Sequence, residues 1–112
     1  MILSHNKKAK VSIKEFSEKI SCLKDNILTT KHTFFRISEK QRKIYDEKTL
    51  KDILLNQRPL EIWEQENGNH AIFYTFKENR IIKIILDIRP DKVYIVTFYI
   101  LTKEQEGDFR NG

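Results

Sequence analysis

Cysteine is nearly absent: Cys22 is the single one among 112 residues. No internal disulfide can form, and no cysteine cluster exists to hold structural zinc. Such usage fits a reducing compartment. Two prolines and three glycines leave no stretch with the composition of a flexible linker. No apolar run approaches the roughly 20 residues of a membrane span. Met1 to Lys10 holds no apolar block long enough for a secretory signal, so cytoplasmic residence is the expectation. His5, His32 and His70 are too dispersed for a metal site, and no cofactor is expected. An acidic excess is lacking too. Lys and Arg number 21 against 16 Asp and Glu, which leaves +5 and favours polyanions such as RNA or DNA over acidic partners.

What is present is a globular balance, 39% hydrophobic and 33% charged. The length suits one domain, 1–112, whose folding buries roughly 65% of the unfolded surface. Val11 to Leu28 carries the clearest helical pattern. Ile13, Phe16, Ile20, Leu23 and Ile27 recur at steps of three and four and make one apolar stripe. Ser12 with Glu15 reads as a capping box, so a helix over about 12–28 is expected. A second helical stretch is expected over about Lys31 to Lys43, with Phe34, Phe35, Ile37 and Ile44 as apolar contacts. A third runs from about Glu47 to Asn56, capped by Asp46, with Leu50, Ile53, Leu54 and Leu55 buried.

After Pro59 the period changes. Glu61–Glu66, His70–Lys77, Arg80–Ile88 and Lys92–Leu101 are rich in β-branched and aromatic residues. The breaks Asn67-Gly68-Asn69, Glu78-Asn79 and Arg89-Pro90-Asp91 are short enough for hairpins. The expected fold is therefore α+β, with N-terminal helices packed on one face of a four-stranded antiparallel β-meander. Thr102 to Gly112 reads as a polar, frayed tail.

Loop lengths then set the register. A three-residue loop at Arg89-Pro90-Asp91 puts Ile88 opposite Lys92, Lys83 opposite Thr97 and Ile81 opposite Tyr99. A two-residue loop at Glu78-Asn79 puts Tyr74 beside Lys83 and His70 beside Asp87. Alternation sorts Ala71, Phe73, Ile82, Ile84, Leu86, Ile88, Val96, Phe98 and Ile100 onto a core face. The other face takes His70, Tyr74, Lys83, Asp87, Thr97 and Tyr99, mixed with Ile72, Ile85 and Ile95. A His, two Tyr, a Lys and a Thr on one sheet face can hold a phosphodiester.

His32 and Arg36 stand four apart, which on a helix puts both on one side. An imidazole of ordinary pKa exchanges a proton at cellular pH, and a guanidinium holds phosphate with two donors. Cleavage of RNA needs that combination: a proton carrier and a cation on the developing phosphorane charge. An exposed helix face carrying a His and an Arg is the plainer reading. Lys40, Arg42 and Lys43 are a solvated face that also suits a phosphate track. Trp63 alternates onto the core face and reads as packing, and Cys22 as a small structural residue beside Leu23.

His32-x-x-x-Arg36, a helix ending in Leu54-Leu55, and a meander ending in Tyr94-Ile95-Val96-Thr97-Phe98-Tyr99 together resemble the small His-Arg relatives of RelE-type toxin RNases. These belong to the barnase–EndoU–colicin–RelE group. The resemblance covers about 31–101 and leaves the first helix outside. It implies two helices on a four-stranded antiparallel sheet, and an RNA site lined by His32, Arg36, Thr97 and Tyr99.

The first functional expectation is a metal-independent endoribonuclease, the toxin of a toxin–antitoxin pair. In it His32 carries the proton, Arg36 and Lys83 stabilise the phosphorane, and Thr97 or Tyr99 orients the phosphate. Lys40, Arg42, Lys43, His70 and Tyr74 are the RNA-binding candidates. The partners expected are RNA, ribosome-bound mRNA included, and an antitoxin protein, with no membrane. The alternative is a non-catalytic nucleic-acid-binding module on the same fold. A third is a protein-interaction domain in which the Ile13–Ile27 stripe docks a partner or a second copy as a homodimer.

Overall fold

The computed structural model describes residues 7–34 and 43–111. After a short strand, β1 (Lys7–Lys10), helix α1 (Ile13–Cys22) starts where its capping signal lies. The Ser12 hydroxyl accepts from the Glu15 amide at 3.3 Å. The helix stops earlier than the stripe suggests. Leu23 closes it, Lys24–Asn26 make a 3₁₀ turn, and Ile27–Thr29 form strand β2. Ile27 sits at helical spacing by coincidence; its burial comes from pairing beside Val93. The turn is pinned from outside, since Asn26 Nδ2 donates to Asp91 O at 3.1 Å and Lys19 Nζ to Pro90 O at 3.4 Å.

The helix expected over Lys31–Lys43 lies largely outside the described residues, Phe35, Arg36, Ile37, Lys40 and Arg42 among them. Lys31–Phe34 form a turn. Helix α2 (Glu47–Asn56) begins at Asp46, whose carboxylate accepts from the Thr49 amide at 2.8 Å. That bond lowers the Asp46 pKa below the usual carboxylate range. Leu50, Ile53 and Leu54 are buried, whereas Leu55, expected inside, is exposed.

Strands β3 (Glu61–Gln65), β4 (His70–Thr75), β5 (Ile81–Ile88) and β6 (Val93–Ile100) pair consecutively and antiparallel. The sheet is larger than a four-stranded meander, however. β1 adds antiparallel to β3, and β2 adds parallel to β6, giving a mixed six-stranded sheet in the order β1-β3-β4-β5-β6-β2. β1 precedes α1, and β2 follows it directly, inside the half read as helical. The tail is ordered as helix α3 (Lys103–Asn111). Thr102 Oγ1 accepts from the Gln105 amide at 3.1 Å, and Gln105 Oε1 accepts from the Thr102 amide at 3.0 Å. This reciprocal pair is a capping box.

Helices therefore cover both faces of the sheet. Phe16 and Ile20 of α1 and Leu50, Ile53 and Leu54 of α2 pack on Ile62, Ile72, Ile82, Ile84 and Leu86. On the other face, Ala71, Phe73, Ile81, Ile85 and Leu101 form a smaller core with Trp63 and Phe109 around it. The Phe109 ring lies 4.7 Å from that of Phe73, and Arg80 Nε meets Glu106 Oε2 at 2.9 Å. Trp63 thus packs on the α3 side, where its Nε1–H donates to Glu61 Oε1 at 2.6 Å.

The registers differ from the expected ones, with unequal consequences. Phe76 N–H donates to Arg80 O, so β4 and β5 are joined by three residues, Lys77–Asn79, with Glu78 and Asn79 both at φ 60. Tyr74 then faces Ile82 and His70 faces Leu86. This is a one-residue slip, and it turns all of β4 over. Ala71 and Phe73 go to the α3 face, and His70, Ile72 and Tyr74 to the α1/α2 face. Between β5 and β6, Ile88 pairs with Val93, one residue beyond the expected Lys92. A β-bulge between Ile85 and Leu86 adds a second step, so Ile85 faces Thr97 and Lys83 faces Tyr99. The two steps cancel in parity. Lys83, Thr97 and Tyr99 therefore share a face, while Ile95 falls on the α1/α2 side and the extra residue, Val96, on the α3 side.

Two stability outcomes follow. Leu50→Ala, at a fully buried position, should cost about 2–5 kcal/mol in denaturant unfolding, whereas Leu55→Ala should cost under about 1 kcal/mol. Tyr74 is 0% exposed and its hydroxyl has no hydrogen-bond partner. Burial pushes its pKa far above the ordinary phenol value. Tyr74→Phe should leave stability unchanged or raise it by about 1 kcal/mol, because it removes a desolvated polar atom.

Candidate nucleic-acid interface

α3 covers only part of its sheet face. Where β5 and β6 run past it, the face opens into a cavity of about 430 Å³. Lys83 and Ile85 of β5 and Val96, Thr97 and Tyr99 of β6 form its floor, and Leu101 and Gln105 close one side. The β3–β4 connection supplies Gln65, Asn67 and Asn69. The hairpin turns tightly because Gly68 takes φ +89 and the Asn67 side chain accepts from the Asn69 amide at 3.0 Å. The bulge matters here, since it brings Val96 and Thr97 to the cavity together.

The cavity's charge is one-sided. Among the described residues Lys83 is its single charged lining residue, and none of them brings a carboxylate. The ammonium lies 5.7 Å from the Tyr99 ring centroid and 5.9 Å from that of Phe73. The ring faces attract the ammonium while its stem lies on apolar surface. Tyr99 is 38% exposed, which leaves ring surface for a ligand.

Along β6 the same face carries a second aromatic with cations around it. The Arg89 guanidinium lies 5.0 Å and Lys92 Nζ 5.7 Å from the Tyr94 ring centroid. Arg89 also pairs with Asp87 at 3.1 Å, and that carboxylate's hydrogen bond raises its pKa further. Tyr94 and Tyr99 stand five positions apart, roughly 16 Å along an extended strand. Two aromatic and cationic stations on one open face make an arrangement suited to a single strand of nucleic acid.

The residues named as catalytic from sequence fall into three groups. Lys83, Thr97 and Tyr99 meet in the cavity. His32 does not line it: the residue is exposed, in the turn that follows β2. That turn is tied down by the buried Thr33, whose hydroxyl donates to Ile95 O at 2.6 Å and accepts from the Thr30 amide at 2.8 Å. The His32 amide donates to Thr30 Oγ1 at 3.2 Å. Arg36, with Lys40 and Arg42, lies outside the described residues, and Lys43 is exposed ahead of α2. His70 and Tyr74 face α1 and α2, away from the cavity, for the reason of register given above. Gln65, Asn67, Asn69 and Gln105 were missed by sequence reasoning. The Asn-Gly-Asn turn and the Thr102/Gln105 spacing were the available signals.

His70 has a different setting. It lines a smaller space of about 180 Å³ with Val11, Glu15, Phe16, Lys19 and Ile88. Its Nδ1 is buried without a hydrogen-bond partner. Burial lowers its pKa, and the cross-strand Glu64 works weakly against that. The charged groups around it are Glu64 on β3 and Glu15 and Lys19 on α1. Among the described residues no group of three or more His, Cys, Asp or Glu is placed to hold a metal, and no helix is long and apolar enough to cross a membrane.

The fold and face define an α+β protein with a mixed sheet and a cation-bearing sheet surface beside α3. The chain matches the model of the MJ0788 family over residues 13–86, from α1 into β5, and belongs to that family. No curated protein and no solved structure matches it.

The His70 setting predicts a pH dependence. A histidine pKa lowered by folding means that the unfolded chain binds the proton first. The contribution is complete above the unfolded value of about 6.5 and is lost as pH falls below it. Thermal melting between about pH 7.5 and 5.5 should show a falling Tm, and His70→Gln should flatten that slope. Parallel slopes in both proteins would refute the assignment.

Proposed function

We propose that this protein binds single-stranded RNA across the open sheet face, as a non-catalytic module. The observation that carries the reading is the cavity floor: Lys83 against Tyr99, beside Thr97, with carboxamides around them and no carboxylate among the described residues. A phosphate finds a cation there, an unstacked base finds a partly exposed ring, and none of the described lining residues repels a polyanion. The Tyr94, Arg89 and Lys92 group extends the track along β6. RNA is the natural form of the ligand because its loops and ends present unpaired bases. The net charge of +5 acts in the same direction.

The endoribonuclease reading shares Lys83, Thr97 and Tyr99 and adds a proton carrier. It is favoured by the meeting of those three side chains on one face. His32 lies outside the cavity lining, so binding without cleavage is the better supported of the two. An RNase toxin would also bring an antitoxin as partner, whereas the binding module needs none.

The test is fluorescence anisotropy of a labelled single-stranded RNA across a salt series, followed by a gel of the same RNA. Intact RNA is expected, with affinity falling steeply as salt rises. Lys83→Ala and Tyr99→Ala should each weaken binding by about tenfold. RNA retained equally by both variants would sink the site. Cleavage by the wild type that disappears in His32→Ala would replace binding with catalysis.

A further inference from the structure

α3 lies on its sheet face without sinking into it. None of its side chains from Lys103 to Arg110 is fully buried, whereas Ala71, Phe73, Ile81 and Ile85 beneath it are 7% exposed or less. The one large apolar side chain it brings is Phe109, whose ring lies 4.7 Å from that of Phe73. Its ion pair is Glu106 with Arg80 at 2.9 Å, and 40% of the arginine side chain is exposed; a pair so open to solvent holds weakly. Gly107 stands inside the helix, where glycine is the poorest helix former after proline. Nine residues are also too few for a helix to persist alone in water. Undocking and unwinding of α3 are therefore one event, set by contacts that yield before the buried strands do.

The charge pattern gives this event a direction. α3 carries Glu104, Glu106 and Asp108 against Lys103 and Arg110, in a chain whose net charge is +5. Its Glu106 occupies the Arg80 guanidinium, and its Phe109 occupies the Phe73 ring. A cation and an aromatic face are what a nucleic-acid strand uses. Phe73 also adjoins the cavity, since the Lys83 ammonium lies 5.9 Å from its ring centroid. From this we infer that α3 is a displaceable cover: it undocks as a unit, and RNA entering from the cavity competes with it for Arg80 and Phe73. This rests on the RNA-binding reading and names the element that regulates it. Affinity then follows how often the cover is open, because a ligand that needs a minor state is weakened by the fraction of molecules in that state.

The experiment takes two variants of the whole chain, opposite in sign, through amide hydrogen exchange and titration of the labelled single-stranded RNA. Gly107→Ala strengthens the helix, and the added methyl meets nothing within 4 Å. Phe109→Ala removes the ring on Phe73. Thermal melting confirms that both variants fold. In the wild type the α3 amides should exchange about tenfold faster than those of β5, or more. Gly107→Ala should slow α3 exchange and weaken RNA binding, each by about fivefold. Phe109→Ala should speed that exchange and tighten binding by about fivefold or more. α3 protection equal to that of β5 overturns the separate opening. Affinities that stay unchanged while exchange shifts, or that fall in Phe109→Ala, overturn the competition while RNA binding stands. Failure of all three proteins to bind the RNA overturns the RNA reading and the competition with it.

Discussion

Strand β5 is the constraint around which the rest is arranged. Its first six residues are Ile81-Ile82-Lys83-Ile84-Ile85-Leu86, and all but Lys83 are buried. An alternating strand needs cover on one face; a continuous apolar strand needs it on both. α1 and α2 supply one side, and α3, anchored by Phe109 on Phe73 and by Glu106 on Arg80, supplies the other. α3 has nine residues and cannot reach across the whole face. Lys83 stands where the cover runs out. The interruption in the apolar run and the opening in the structure are one feature seen at two levels.

This accounts for what could be read from sequence and what could not. α2 was legible to its ends because Asp46 caps it and apolar residues mark its inner side. The α1 start was legible for the same reason at Ser12. Its end was not, because Ile27 continues the helical spacing while serving as a strand residue, and three residues carry no period of their own. α3 was hidden because its sequence has no apolar stripe; Phe109 is its one large apolar side chain, and a single anchor leaves no pattern. The continuous run in β5 and the apolar Ile72 and Ile85 on the expected polar face were evidence of two-sided burial. They fit poorly with helices on one face only.

The candidate site shows how register errors propagate. Face assignment depends on parity alone. A one-residue shift at the β5–β6 turn and one at the bulge move the pairing by two, and Lys83, Thr97 and Tyr99 stay together. One additional residue in the β4–β5 loop shifts that pairing by one, and His70 and Tyr74 change sides. Turn chemistry decides this: Glu78 and Asn79 both adopt positive φ within a loop of three, a length that Glu-Asn by itself does not announce. His32 was placed on a helix by spacing, but the buried Thr33 hydroxyl holds that segment as a turn against β6.

The same parity argument bears on function. Lys83, Thr97 and Tyr99 lie on different strands, so only the β5–β6 pairing brings them together, and the bulge at Val96 is what carries Thr97 to the Lys83 side. The carboxamides arrive by separate routes, through a hairpin turn and a helix cap whose own stability requires Asn67 and Gln105 to orient as they do. Both side chains are thus oriented by bonds the fold makes for its own sake.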